Sequence, residues 1–112
     1  MKQWDIVRVR IRPDDKHGHP ALLISPDESC ANTRHLYLNV LYGTSRRPVV
    51  SIRPHEAQLN GADGLERATL FDCAMIYVID RRKVSTFIGR ATPERRRQIG
   101  RKIVASLRLP LA

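Results

Sequence analysis

At 112 residues and 12.8 kDa, with 42% hydrophobic side chains, the chain is sized for one domain over 1–112 built on a single core, and it has no apolar run near the ~18 residues that cross a membrane. Two cysteines, Cys30 and Cys73, are too few for a disulfide scaffold and lack metal-site spacing, which predicts free thiols in a reducing compartment. The formal net charge of +9 is uneven: residues 1–80 are neutral, with ten Lys/Arg and ten Asp/Glu, and residues 81–112 carry ten Lys/Arg against Glu94 alone. Such a basic third attracts nucleic acid or an acidic protein segment, or is simply a solvated face.

Met1-Lys2-Gln3-Trp4-Asp5 enters a strand-like pattern without an apolar leader, so the expected location is cytoplasmic. Val7, Val9 and Ile11 then alternate with Arg8, Arg10 and Arg12, the period of a half-buried strand. Its arginine face would grip a phosphate backbone or merely meet solvent. Pro13 to Gly18 reads as a loop. His17 and His19 form a His-x-His pair with no third ligand at a recognisable spacing, so neither a metal nor another cofactor is expected.

The next stretch, Gly18-His19-Pro20-Ala21-Leu22-Leu23-Ile24-Ser25-Pro26-Asp27, places four apolar residues between turn formers. So short a run reads as a strand buried on both faces, because Pro20 and Pro26 close it too early for a helix. Ser25 to Arg34 is polar and turn-rich, and Leu36 to Tyr42 is a second strong strand. That strand ends in Gly43-Thr44-Ser45-Arg46-Arg47-Pro48, either a cradle of hydroxyls and guanidiniums for a phosphate or a turn whose hydroxyls bond their own backbone.

Pro48 to Ile52 predicts a short strand, Pro54 to Leu65 a long loop, and Thr69-Leu70-Phe71 an apolar lead into Asp72. Cys73 to Ile79 fits a strand or a helical turn, and Ser85 to Gly89 is the last strand. Thr92 is an N-cap with Pro93 at the first helical position, and Ile99, Ile103, Val104 and Leu107 make an apolar stripe ending before Pro110. Arg95, Arg96 and Arg97 lie where the helix dipole disfavours cations, with only Glu94 to offset them locally. The sum is a mainly β small barrel with one C-terminal α-helix.

Several segments, in order, resemble the PemK/MazF toxin family, in its divergent PemK-like subgroup. They are Trp4-Asp5-Ile6-Val7, Pro20-Ala21-Leu22-Leu23-Ile24-Ser25-Pro26, Tyr42-Gly43-Thr44-Ser45, Thr69-Leu70-Phe71-Asp72, Ile79-Asp80 with Arg81-Arg82-Lys83, and Ile88-Gly89-Arg90-Ala91-Thr92-Pro93-Glu94. The resemblance implies an SH3-like barrel that forms a homodimer and cuts single-stranded RNA without a metal, through attack of a ribose 2′-OH on the adjacent phosphate. It also implies a cognate antitoxin that lays an acidic, disordered tail on the toxin's basic face.

Carried over by position, Thr44 and Ser45 would contact the scissile phosphate and Asp72 would match the family's acidic residue; with His19 as an acid or base in its own right, His19, Thr44 and Asp72 are the expected catalytic residues. Ser45, Arg46, Arg47, Arg8 and Arg10 are the expected RNA contacts, and Arg81, Arg82, Lys83, Arg95 and Arg96 the expected partner or nucleic-acid patch. Two positions depart from the family pattern: His19 and Leu70 stand where members carry a catalytic arginine. The alternatives are therefore a PemK-like nucleic-acid binder without catalysis and a gyrase-targeting toxin whose determinants lie on the C-terminal helix. RNA sequence preference is not legible in the chain.

Overall fold

The computed structural model describes residues 1–45 and 51–111. Its seven strands are β1 (Asp5–Val9), β2 (His19–Leu23), β3 (Tyr37–Thr44), β4 (Glu56–Leu59), β5 (Thr69–Asp72), β6 (Tyr77–Asp80) and β7 (Val84–Arg90). Helix α1 (Asp27–Ala31) follows β2, helix α2 (Pro93–Leu107) follows β7, and Gly61–Asp63 and Arg81–Lys83 form single 3-10 turns.

All strand pairs are antiparallel, in the order β4-β5-β3-β2-β1-β7. β3 is the spine. Its first half pairs with β6 from Tyr37↔Asp80 to Val40↔Tyr77, and its last two residues, Gly43 and Thr44, pair with Phe71 and Leu70 of β5. The fold is the expected mainly β architecture with a C-terminal helix. Among the described residues no pairing joins β4 to β7, so the barrel is open.

The apolar run at β2 has the cause inferred from its sequence. Leu22 belongs to a core shared with Ile6, Leu41, Phe71 and Ile99, beneath α2, whereas Ala21 and Leu23 belong to a second core with Val7, Val9, Leu38 and Val40. With both faces covered, β2 needs no polar alternation. β1 shows the same division, with Ile6 in one core and Val7 and Val9 in the other.

Four expectations are corrected. The arginine-alternating strand stops at Val9, because the chain bends at Ile11, which is exposed. The loop expected over Pro54 to Leu65 contains β4, since Glu56 to Leu59 find a partner strand in β5, ten residues on in sequence at Leu59↔Thr69 and beyond local pattern reading. The turn-rich segment after Ser25 contains α1. The apolar stripe of α2 packs only at its start: Ile99 is buried and Ile103 partly so, and Val104 and Leu107 face solvent. Most of the strand expected over Pro48 to Ile52 lies outside the described residues, and Ser51 and Ile52 are exposed and non-regular. The stretch open between strand and helix, Cys73 to Ile79, is a turn leading into β6.

Helix α2 starts as its sequence predicts, with the Thr92 hydroxyl accepting from the Arg95 amide at 3.3 Å. Its cationic first turn has a second offset that the local sequence does not show. Asp63, 1% exposed, accepts from the Thr92 amide at 3.0 Å and the Asn60 amide at 3.1 Å, and lies 3.7 Å from Arg95. A carboxylate at a helix N-terminus is favourable by roughly 0.3–1 kcal/mol, more when partly buried.

Candidate active site

A polar cleft of about 800 Å³ opens between the β1 and β7 wall, the loop before β2, and the start of β5. Arg8, Arg10, Lys16 and Arg67 line it with Glu66 as its one carboxylate, His17 as its one imidazole, and the hydroxyls of Ser45, Thr69, Ser85 and Thr86. Arg10, Lys16 and Arg67 make no side-chain hydrogen bond or ion pair among the described residues, so their charges face the opening. Four cations around one hollow focus a positive potential on it and favour a polyanion.

Local structure explains why these groups converge. The Arg8 guanidinium donates to the His17 carbonyl at 3.3 Å, and the Gly18 amide donates to Asp15 Oδ1 at 3.0 Å. Gly18 has φ +67°, and a Cβ there would lie 2.9 Å from the Val9 carbonyl oxygen, so the loop folds back tightly only with glycine. On the opposite wall the Thr69 hydroxyl donates its single proton to the Arg67 carbonyl at 3.0 Å. The 3.4 Å contact between Ser45 Oγ and Thr69 Oγ1 therefore has Ser45 as donor. Gly43 allows that approach, since a Cβ there would lie 2.7 Å from Thr69 Cγ2 and 2.8 Å from the Phe71 ring.

The three residues expected to be catalytic do not share one hollow. His19, half exposed, has Nε2 3.3 Å from Asp15 Oδ2 and lines a smaller hollow of about 380 Å³ with Ile11, Arg12 and Asp14. Thr44 is exposed at the tip of β3, one residue before Ser45, and faces neither hollow. Asp72 accepts from the Ala74 amide at 2.9 Å and lines a separate hollow of about 950 Å³ against α2, with His55, Met75, Arg101, Lys102 and Arg108. Side-chain alternation turns it there: Phe71 faces the core, so its neighbour points away.

The expected RNA contacts fare differently. Arg8, Arg10 and Ser45 line the polar cleft, and Arg46 and Arg47 lie outside the described residues. Lys16, His17, Glu66, Arg67, Thr69, Ser85 and Thr86 join them and were not read as RNA contacts. Of these, His17 was read as half of a metal pair and Thr69 as the start of the Thr69-Leu70-Phe71-Asp72 segment; among the described residues no group of three His, Cys, Asp or Glu gathers to hold a metal.

The expected basic patch is largely occupied by the fold. Arg81 donates to the carbonyls of Ser29, Cys30, Asn32 and His35 at 2.8–3.0 Å, satisfying the C-terminal end of α1. Arg82 forms a two-pronged pair with Asp80, closest approach 2.7 Å, and holds that carboxyl down at about 2. Arg96 donates to the Ala91 carbonyl at 2.8 Å, and Arg90 pairs with buried Asp5 at 2.8 Å. Only Lys83 of the five residues has no side-chain partner among the described residues.

Both thiols are inert structural groups. Burial raises Cys30 and pushes Cys73 up to about 11.

A family model for the PemK-like, MazF-like toxin of type II toxin-antitoxin systems matches residues 2–107. The chain belongs to that family. None of the curated proteins matches it in sequence. The toxin's fold superposes on an endoribonuclease in complex with its cognate antitoxin from a mycobacterial species, at 16% identity and TM-score 0.78, covering 100% of this chain and 99% of that one. It also matches the Mycobacterium tuberculosis toxin MazF-mt6, at 16% identity and TM-score 0.75, covering 95% of this chain and 98% of that one. The MazE-MazF structure from Deinococcus radiodurans gives 17% identity and TM-score 0.76, covering 98% and 97%. At such identities the likeness establishes the fold alone. No described helix of the toxin is long and apolar enough to cross a membrane.

Proposed function

We propose that this toxin is a metal-independent endoribonuclease acting on single-stranded RNA in the polar cleft. The observation that carries the reading is the gathering of Arg8, Arg10, Lys16 and Arg67 with four hydroxyls around one opening, in a family where solved relatives include an endoribonuclease. The cations hold the phosphodiester and meet the charge that develops on phosphorus. The 2′-oxygen attacks that phosphorus and the 5′-oxygen leaves, giving a 2′,3′-cyclic phosphate and a 5′-OH. Digestion of mixed-sequence RNA in EDTA, with end-group analysis and a 2′-deoxy control, tests it; intact RNA under all conditions refutes it.

The cleft also suits the acidic, disordered tail of a cognate antitoxin, which would exclude RNA by occupying the same cations. Exposed Tyr37, Met75, Tyr77 and Val78, clustered along β3 and β6, support a homodimer. Sedimentation of the free toxin checks that state. A non-catalytic nucleic-acid binder is the second reading, favoured by His19 and Leu70 at the family's arginine positions; it predicts salt-sensitive binding with the RNA left whole.

A further inference from the structure

Building on the ribonuclease reading, we infer that His17 and Glu66 are its proton-transfer pair, with Glu66 as base and His17 as acid. Arginine and lysine side chains carry donors and no acceptor, and serine and threonine hydroxyls are poor acids and bases near neutral pH. Among the described lining residues that leaves one imidazole and one carboxylate. Both are exposed to solvent and neither has a side-chain partner among the described residues, so neither is committed to the fold.

Placement supports the division of labour. His17 comes from the loop that Arg8 and Gly18 pin against the end of β1, and Glu66 from the segment entering β5 on the other wall. In-line displacement needs the entering and leaving oxygens on opposite sides of phosphorus, hence an acid and a base from two walls. The Glu66 carboxylate takes the 2′-OH proton as the O2′–P bond forms. The His17 imidazolium gives its proton to O5′ as the P–O5′ bond breaks. Exchange with water then resets both groups. The charged groups that line the cleft with His17 are Arg8 from β1, Arg10 just beyond its end, Lys16 from its own loop, and Glu66 and Arg67 from the segment entering β5.

The test compares an RNA oligonucleotide with the same oligonucleotide carrying a sulfur in place of the bridging 5′-oxygen, a leaving group that needs no proton. His17→Ala is expected to cut RNA ~10²–10⁴-fold more slowly and the thio-linked substrate within about tenfold of wild type. Glu66→Gln is expected to be slow on both. Unchanged melting temperatures exclude misfolding. If wild type cuts RNA and His17→Ala cuts it equally fast, or if sulfur rescues both variants or neither, the pair is overturned and the ribonuclease reading stands. If wild type cuts nothing, both fall.

Discussion

The cations around the polar cleft and half of those in the C-terminal third are engaged differently by the fold. The C-terminal third carries the whole formal excess of charge, yet Arg81, Arg82, Arg90, Arg95 and Arg96 bind carbonyls and carboxylates of their own chain. The cleft takes Arg8, Arg10, Lys16 and Arg67 from the electrically neutral part, and three of those four have no side-chain partner among the described residues. Net charge along a sequence therefore locates positive residues, and only the fold tells which of them still face outward.

The comparison breaks hardest at Asp63. Asp63→Ala strands the partly buried amides of Asn60 and Thr92 and removes the offset to the first turn of α2, and should cost about 2 to 3 kcal/mol in urea unfolding. Arg81→Ala comes next, at about 2 kcal/mol, because four carbonyls lose a charged donor while solvent can reach part of the gap. A loss below ~0.5 kcal/mol in either would show that these charges are not structural.

Arg67→Ala sharpens the other side. Stability should hold within ~0.5 kcal/mol, RNA affinity should fall, and the log-log salt slope should shrink by about one. Fluorescence anisotropy across a salt series reads both numbers.

Two pH effects are smaller. Arg82 depresses Asp80, so that pair stabilises above the unfolded carboxyl value of about 3.9 and its contribution is lost as pH falls towards about 2. Asp80→Asn should flatten the melting-temperature profile across that window. Cys73 is raised, so its contribution is intact below about 9 and is lost as pH rises towards about 11; Cys73→Ser should reduce that alkaline slope.

Much of the architecture was legible because its signals are local. The apolar run at Ala21 to Ile24 and the Thr92-Pro93 start of α2 each follow from neighbours in sequence. β4 was not, since Glu56 to Leu59 become a strand only when β5 arrives. The site was half legible. Arg8, Arg10 and Ser45 could be picked out by residue type and strand position. Which of His17 and His19 would line the polar cleft is not legible, because it rests on how Gly18 turns the loop, and nor is the turn of Asp72 towards α2, which follows from alternation along β5. Glu66 and Arg67 carry no pattern of their own, and with Thr69 they reach the cleft through the β3–β5 pairing.

That pairing closes at Gly43, whose hydrogen faces Thr69 and Phe71. The end of β3 and the start of β5 form one wall of the cleft together, so the seating of that wall is set at this single position. Adding one methyl, in Gly43→Ala, would push Thr69 and Phe71 away from β3 and carry Glu66 and Arg67 with them, while Arg8, Arg10 and Lys16 stay where they are.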